Sequence, residues 1–386
     1  MTIQAHCAVP KVKRDLDWLR SALQLAIAVE HSTLPFYLTA VYSLKVQNYS
    51  AYNALRSVAM EEMVHMAVAA NILAALGGRP QIKTLSPTYP SQGLPGGAEP
   101  DLYMGLAKLS KRQLANFMRL ESPAFLLPEA GEDGAFPTVA ALYAAISAAI
   151  HANADAVRAA IKAGGGANQV GDDIGFAAVT CVAGQDPIDQ FDAAIAMVVS
   201  QGAGTATRPL HADGQSENEA SHYCKFAEIF YGRQFQKPEP EVPLTRATEP
   251  LFFQGYRLPF PEVVNLMAVP NDGYAKLLAA DPNGVAVETS LQAFDAAYSA
   301  IMAQLDDIWN GPAATSWPTL GQAVEVMGKL RVLGCFNIMK YQVPPDLVSR
   351  LAELYPGEYP AIAAYSDLEA PLFYGPRFRN TNPSQL

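Results

Sequence analysis

Two Glu-x-x-His motifs, Glu62-Met63-Val64-His65 and Glu219-Ala220-Ser221-His222, constrain this chain more tightly than any other feature in it. Residues three apart on a helix share a face, so each motif offers a carboxylate and an imidazole to one point in space. Such groups are costly on an apolar stripe unless they are paired or bind a metal ion. A four-helix bundle with one Glu from each of two helices and Glu-x-x-His from each of two others holds a pair of iron or manganese ions. One motif alone reads as a buried ion pair. Two motifs, joined by Glu30 on a third apolar stripe, favour a metal site.

The stripes come from spacing. Over residues 15–45, Leu16, Leu19, Leu23, Ile27, Glu30, Leu34, Tyr37, Val41 and Leu44 recur every three or four positions, which predicts a core-facing helix. Pro35 falls inside it and cannot donate to the carbonyl of His31, so a local loosening is expected there. A second helix is expected over 51–76, with Leu55, Val58, Glu62, His65, Ala69 and Ile72 inward, stopped by Gly77-Gly78-Arg79-Pro80. The short break between the two makes them antiparallel neighbours. At about 1.5 Å per residue, Glu30, Glu62 and His65 come level to within roughly 3 to 8 Å. Further helices are expected over 110–120, 138–162, 189–201 and 216–231, the last carrying Glu219 and His222 on its inward stripe. Residues 236–261 are rich in proline and read as a strap or boundary, followed by helices over 287–309 and 320–341.

Composition narrows the partners. Half of the 386 residues are apolar, 17% are charged and the net charge is −10, which suits a folded acidic protein and disfavours nucleic acid. Cys7, Cys181, Cys224 and Cys335 are far apart and suggest neither a zinc finger nor a disulfide framework. With no leader-like N-terminus and no apolar run read as long enough to span a bilayer, a cytoplasmic protein away from membranes is expected.

Carboxylate plus imidazole favours iron, manganese or zinc over calcium or magnesium. Glu61 falls off the stripe and reads as a solvated surface acid. His31, about 100° round the helix from Glu30, reads as packed rather than ligating. Cys224 points away from His222 and reads as a small core residue.

Glu30-His31-Ser32-Thr33-Leu34-Pro35-Phe36-Tyr37-Leu38, Glu61-Glu62-Met63-Val64-His65-Met66 and Asn71-Ile72-Leu73-Ala74-Ala75-Leu76-Gly77-Gly78 resemble the ferritin-like domain of the iminophenyl-pyruvate dimer synthase family, enzymes of violacein- and rebeccamycin-type biosynthesis. Phe117-Met118-Arg119-Leu120-Glu121-Ser122-Pro123 and His222-Tyr223 with Phe226 resemble it too, and the likeness covers about residues 15–235. It implies an all-α ferritin-like four-helix bundle and a metal site of Glu30, Glu62, His65, Glu219 and His222. Where the family tends to offer further carboxylates, this chain has Ala141 and Ala203. Glu121 is then the candidate additional ligand, with Gln201 behind it, and the site is expected to be asymmetric.

These readings combine into one expectation. Residues 1–235 form the metal-binding bundle, and 236–386 form a helical extension with proline-rich straps packed on it. The bundle binds one or two iron ions, with manganese or zinc as alternatives. It serves as a non-haem oxidase or oxygenase of a small, amino-acid-derived molecule, using dioxygen, with Tyr37 shaping the substrate pocket. A non-catalytic bundle with a partial metal site is the rival. A homodimer is compatible with either.

Overall fold

The computed structural model describes residues 2–45, 49–123, 126, 138–165, 169–170, 185–202, 209–211 and 219–381. Cys181 and Ala203 lie outside these. The described chain is helical apart from one short ribbon, so the expected all-α class holds.

A short helix α1 (Ile3–Ala8) precedes α2 (Leu16–Tyr42), whose start is fixed by Asp15: its carboxylate accepts from the backbone N–H of Asp17 and Trp18. The helix runs unbroken through Pro35. The hydroxyls of Ser32 and Thr33 bond back to the carbonyls of Val29 and Glu30 at 2.7 and 2.8 Å. Next comes α3 (Tyr49–Ala75), lying along α2 over its length. Residues Ser50–Ala75 would be long and apolar enough to cross a membrane by length and composition, contrary to the sequence expectation, but 78% of the apolar window is buried inside the protein.

A ribbon of β1 (Ser91–Gln92) and β2 (Tyr103–Met104) leads to α4 (Lys111–Leu120), capped by the Ser110 hydroxyl and ended at Glu121. The helix expected over 138–162 is divided into α5 (Val139–Ala152) and α6 (Ala154–Ala160). At the division Asn153 ties its amide to the carbonyls of Ala149 and Arg14, at 2.8 and 2.6 Å. Then follow α7 (Pro187–Gly202) and α8 (His222–Tyr231). Helices α2, α3, α5 and α7 pack as the bundle, with α4 and α8 paired across its end and α8 also against α3.

Beyond α8, residue 44 bridges to 263, pinning the proline-rich segment to the end of α2. Short α9 (Ala275–Ala280) precedes the hairpin of α10 (Gly284–Asn310) and α11 (Ala313–Val332). This hairpin docks on the bundle through His31 Nε2 to Tyr298 Oη, 2.9 Å, and Trp309 Nε1 donating to Asn71 Oδ1, 2.8 Å. Three short helices, α12 (Pro345–Ser349), α13 (Leu351–Leu354) and α14 (Tyr359–Tyr365), lead into the C-terminal strap. One hydrophobic core runs from Ile3 to Phe378 through both regions.

Candidate metal centre

Helices α2 and α3 bring Glu30, Glu62 and His65 together, and the ends of α4 and α8 add Glu121 and His222. All five side chains are buried. Their donor atoms fall into two groups, each within 4.8 Å: Glu30, Glu62 and His65 in one, and Glu62, Glu121 and His222 in the other. Glu62 belongs to both. Its Oε1 lies 3.6 Å from His65 Nδ1 and 2.9 Å from His222 Nδ1. His65 Nδ1 is also 3.9 Å from Glu30 Oε2, and His222 Nδ1 is 3.4 Å from Glu121 Oε2. The two imidazoles stack at 5.4 Å between centroids.

The far side of each imidazole is fixed. His65 Nε2 donates to Gln201 Oε1 at 2.8 Å, and His222 Nε2 to Glu61 Oε2 at 2.7 Å. Both partners are acceptors, so Nε2 carries a hydrogen and Nδ1 is the ring nitrogen turned toward the carboxylates. Partners of this kind set the tautomer of metal-ligating histidines. Glu61 is not a free surface acid, as its sequence position suggests: Lys225, one turn along α8 from His222, also holds it at 2.7 Å. That Lys225 spacing was the available signal. Each carboxylate has its own donor as well. Thr33 Oγ1 donates to Glu62 Oε2 at 2.8 Å, Tyr143 Oη to Glu30 Oε1 at 2.7 Å, and Tyr37 Oη to Glu121 Oε1 at 2.5 Å.

Three expectations need correction. Glu219 precedes α8, because Ser221 caps that helix through its hydroxyl and the backbone N–H of Cys224. The second Glu-x-x-His is therefore not a helical pair. Glu219 is half-buried, in neither donor group, and Glu121 stands where a fourth helix was expected to contribute. Ala141 is exposed on the outer face of α5, so it does not leave a gap in the site; Tyr143 is the residue that turns inward. Tyr37 does not line the cavity over the site. It sits fully buried behind Glu121, against Phe117 and Phe226.

The electrostatics are those of an acid cluster short of cations. Burial, then the charge of Glu62, holds the Glu30 carboxyl well above the ordinary range. Burial would also raise Glu62, but the imidazoles of His222 and His65 more than reverse that and hold it well below. Burial would lower His222, yet the carboxylates of Glu121, Glu61 and Glu62 carry it well above the usual histidine value. Burial and the neighbouring acids push Tyr37 and Tyr143 upward, so both phenols keep their protons and donate.

A divalent cation fits this donor set. Three buried carboxylates converge there, and two imidazole Nδ1 atoms are turned toward them. That is the pattern expected where lone pairs converge on an ion. A cavity of about 80 Å³ opens over the site, lined by Glu30, Glu62, His65, Glu121 and Tyr143, with Arg119 and Glu99 paired at 2.8 Å beside it. Gly202 keeps it clear: a Cβ there would come within 3.4 Å of Glu121 Oε2.

A family model described as ferritin-like matches residues 23–231, which include all five converging residues. The chain belongs to the ferritin-like family. A ferritin-like protein from Caulobacter vibrioides, solved at 1.95 Å, is 19% identical, with a TM-score of 0.56 over 82% of this chain and 94% of that one. At that identity the likeness speaks for fold alone. No curated protein matches the chain.

Proposed function

We propose that this ferritin-like protein is a non-haem metal-dependent oxidase or oxygenase of a small molecule. The observation that carries the reading is Glu62, shared between two carboxylate–imidazole groups beneath a cavity. Glu30 and His65 would hold one ion, Glu121 and His222 the other, and Glu62 would serve both. Iron is the favoured metal, from the mixed oxygen and nitrogen donors, with manganese or zinc as alternatives. Bound iron would supply the redox chemistry by which dioxygen is reduced.

The protein's own groups have separate tasks. Tyr143 and Tyr37 keep their protons and orient Glu30 and Glu121. Gln201 and Glu61 hold the imidazoles with Nδ1 inward. Leu94, Val29 and Val198 line the cavity and limit water near the site. The described space of about 80 Å³ suits dioxygen and a small organic group. Arg119, half-exposed beside the cavity, keeps its terminal guanidinium nitrogens beyond the Nε bond to Glu99 and could meet the carboxylate of an amino-acid-derived substrate.

The rival reading is a structural polar core without turnover. It is favoured by the close mutual pairing of the five groups, which leaves a folded site even without an ion. Elemental analysis of protein made in iron-rich medium separates the two. About two iron ions per chain and ferrous-dependent dioxygen uptake support the enzyme. Folded protein with near-zero iron, manganese and zinc sinks it.

A further inference from the structure

A second cavity, far larger than the one over the metal centre, lies on the opposite faces of α2 and α3. Its volume is about 760 Å³, and α10 and α11 close its other side. That is within the range of small-molecule sites, roughly 300 to 1,000 Å³. The same helices that aim Glu30, Glu62 and His65 at the metal site turn Leu34, Leu38, Met60 and Met63 into this cleft. Helix α11 answers with Leu320, Val324, Met327 and Arg331, spaced to share one face. Several of these apolar side chains stay open to solvent: Met60 is 47% exposed, Val324 58% and Phe336 69%. A contiguous apolar surface of this kind is seldom left uncovered without a use.

The charges around it select the ligand. The chain carries a net charge of −10, yet among the described residues no Asp or Glu lines the cleft. Two guanidiniums do, Arg56 and Arg331, and neither has a carboxylate partner among the described residues. Arg331 is set in place by Tyr52, donating to its hydroxyl at 3.0 Å and lying over its ring at 5.1 Å. Arg56 is one turn along α3 from Tyr52, so both cations gather at one end. From there the wall of α3 is apolar to Met66 and Ala67, about 16 Å further on at the rise of a helix. A straight acyl chain of about a dozen carbons spans that length. The methionines Met60, Met63, Met66, Met302 and Met327 give the walls a surface that adapts to a flexible chain.

We infer that this cleft binds a long-chain carboxylate, with its head on Arg56 and Arg331 and its chain between α3 and α11. The site is separate from the metal centre and would bind with or without metal. Calorimetry of the full chain with decanoate, dodecanoate and tetradecanoate, below their micelle concentrations, tests it. One saturable site is expected, tightening about fourfold per added methylene. Dodecanol should bind at least about tenfold more weakly than dodecanoate, and Arg331→Gln should cost dodecanoate a similar factor.

Gly328 gives a blocking variant that is expected to fold. It lines the cleft, and a Cβ there would meet nothing within 4 Å. Gly328→Trp should abolish binding with Tm maintained, while Gly321→Trp, equally open but outside the cleft, should leave it intact. The proposal is overturned by absence of saturable binding, by equal affinity for the alcohol and the acid, or by binding that survives Gly328→Trp. It is also overturned if light scattering shows a dimer that Phe336→Asp splits and that takes up no ligand, because a second copy would then cover the face.

Discussion

Glu62 divides its two oxygens between two tasks. Oε2 is committed to Thr33, which leaves Oε1 facing both imidazoles. Glu30 and Glu121 each serve one side only. Removing Glu62 should therefore empty both positions, whereas removing Glu121 should empty one. Expected iron contents for Glu62→Ala, Glu121→Ala and Glu219→Ala are near zero, about half and unchanged relative to the parent. Loss of iron in Glu219→Ala with full occupancy in Glu121→Ala would reverse the assignment made from the fold. The residues behind the imidazoles should matter less. Glu61→Gln keeps an acceptor for His222 but removes the charge shared with Lys225, and Gln201→Leu leaves His65 Nε2 unpaired. Each should weaken metal affinity by about 10- to 100-fold with the fold intact, read by competition with a coloured chelator.

At the level of elements, α2 and α3 were legible because their candidate site residues ride on long, regular stripes. Glu30, Glu62 and His65 share the period of Leu23, Ile27, Leu55 and Val58, and local spacing alone aligns them. Glu121 was visible only as a substitute, because it sits at the end of α4, where no stripe continues. Glu219 misled because Glu-x-x-His is informative only inside a helix, and Ser221 is a better cap than an interior residue. Glu61 and Gln201 depend on contacts across about 160 and 136 positions of sequence, which no periodicity reports. The C-terminal strap shows the same limit. Arg377, buried, donates to Asp295 at 2.6 Å and to both oxygens of Glu288 at 2.9 Å, fastening the strap to α10. Burial still holds Asp295 above its ordinary range, so this pair is costly to assemble and costly to halve. Arg377→Met should destabilise by about 3 to 5 kcal/mol in denaturant unfolding. Adding Asp295→Asn should recover part of that loss, and no recovery would show that packing of the arginine stem, not the stranded acid, sets the cost.

For the whole molecule, the candidate metal centre should couple stability to pH differently with and without an ion. Glu30 and His222 are both raised above their unfolded values, so the folded protein without metal holds protons that the unfolded chain gives up. The stability these contribute is complete below the unfolded values, about 4.3 for Glu and 6.5 for His, and is lost as pH rises through the folded ones. Glu62 runs the other way: its contribution is present above about 4.3 and is lost only in stronger acid, as pH falls through its depressed folded value. Between pH 6 and 8 Glu30 and His222 therefore dominate, and Tm of the metal-free protein should fall as pH rises. Binding an ion must displace the same protons, so metal affinity should climb over that interval. Stabilisation by a bound ion follows RT ln(1 + [L]/Kd) and should grow with it. Thermal scans at fixed free manganese, with and without chelator, should show a gap in Tm that widens from pH 6 to pH 8. A gap independent of pH would mean that Glu30 and His222 give up no protons to the ion, and that the buried cluster is not the place where it binds.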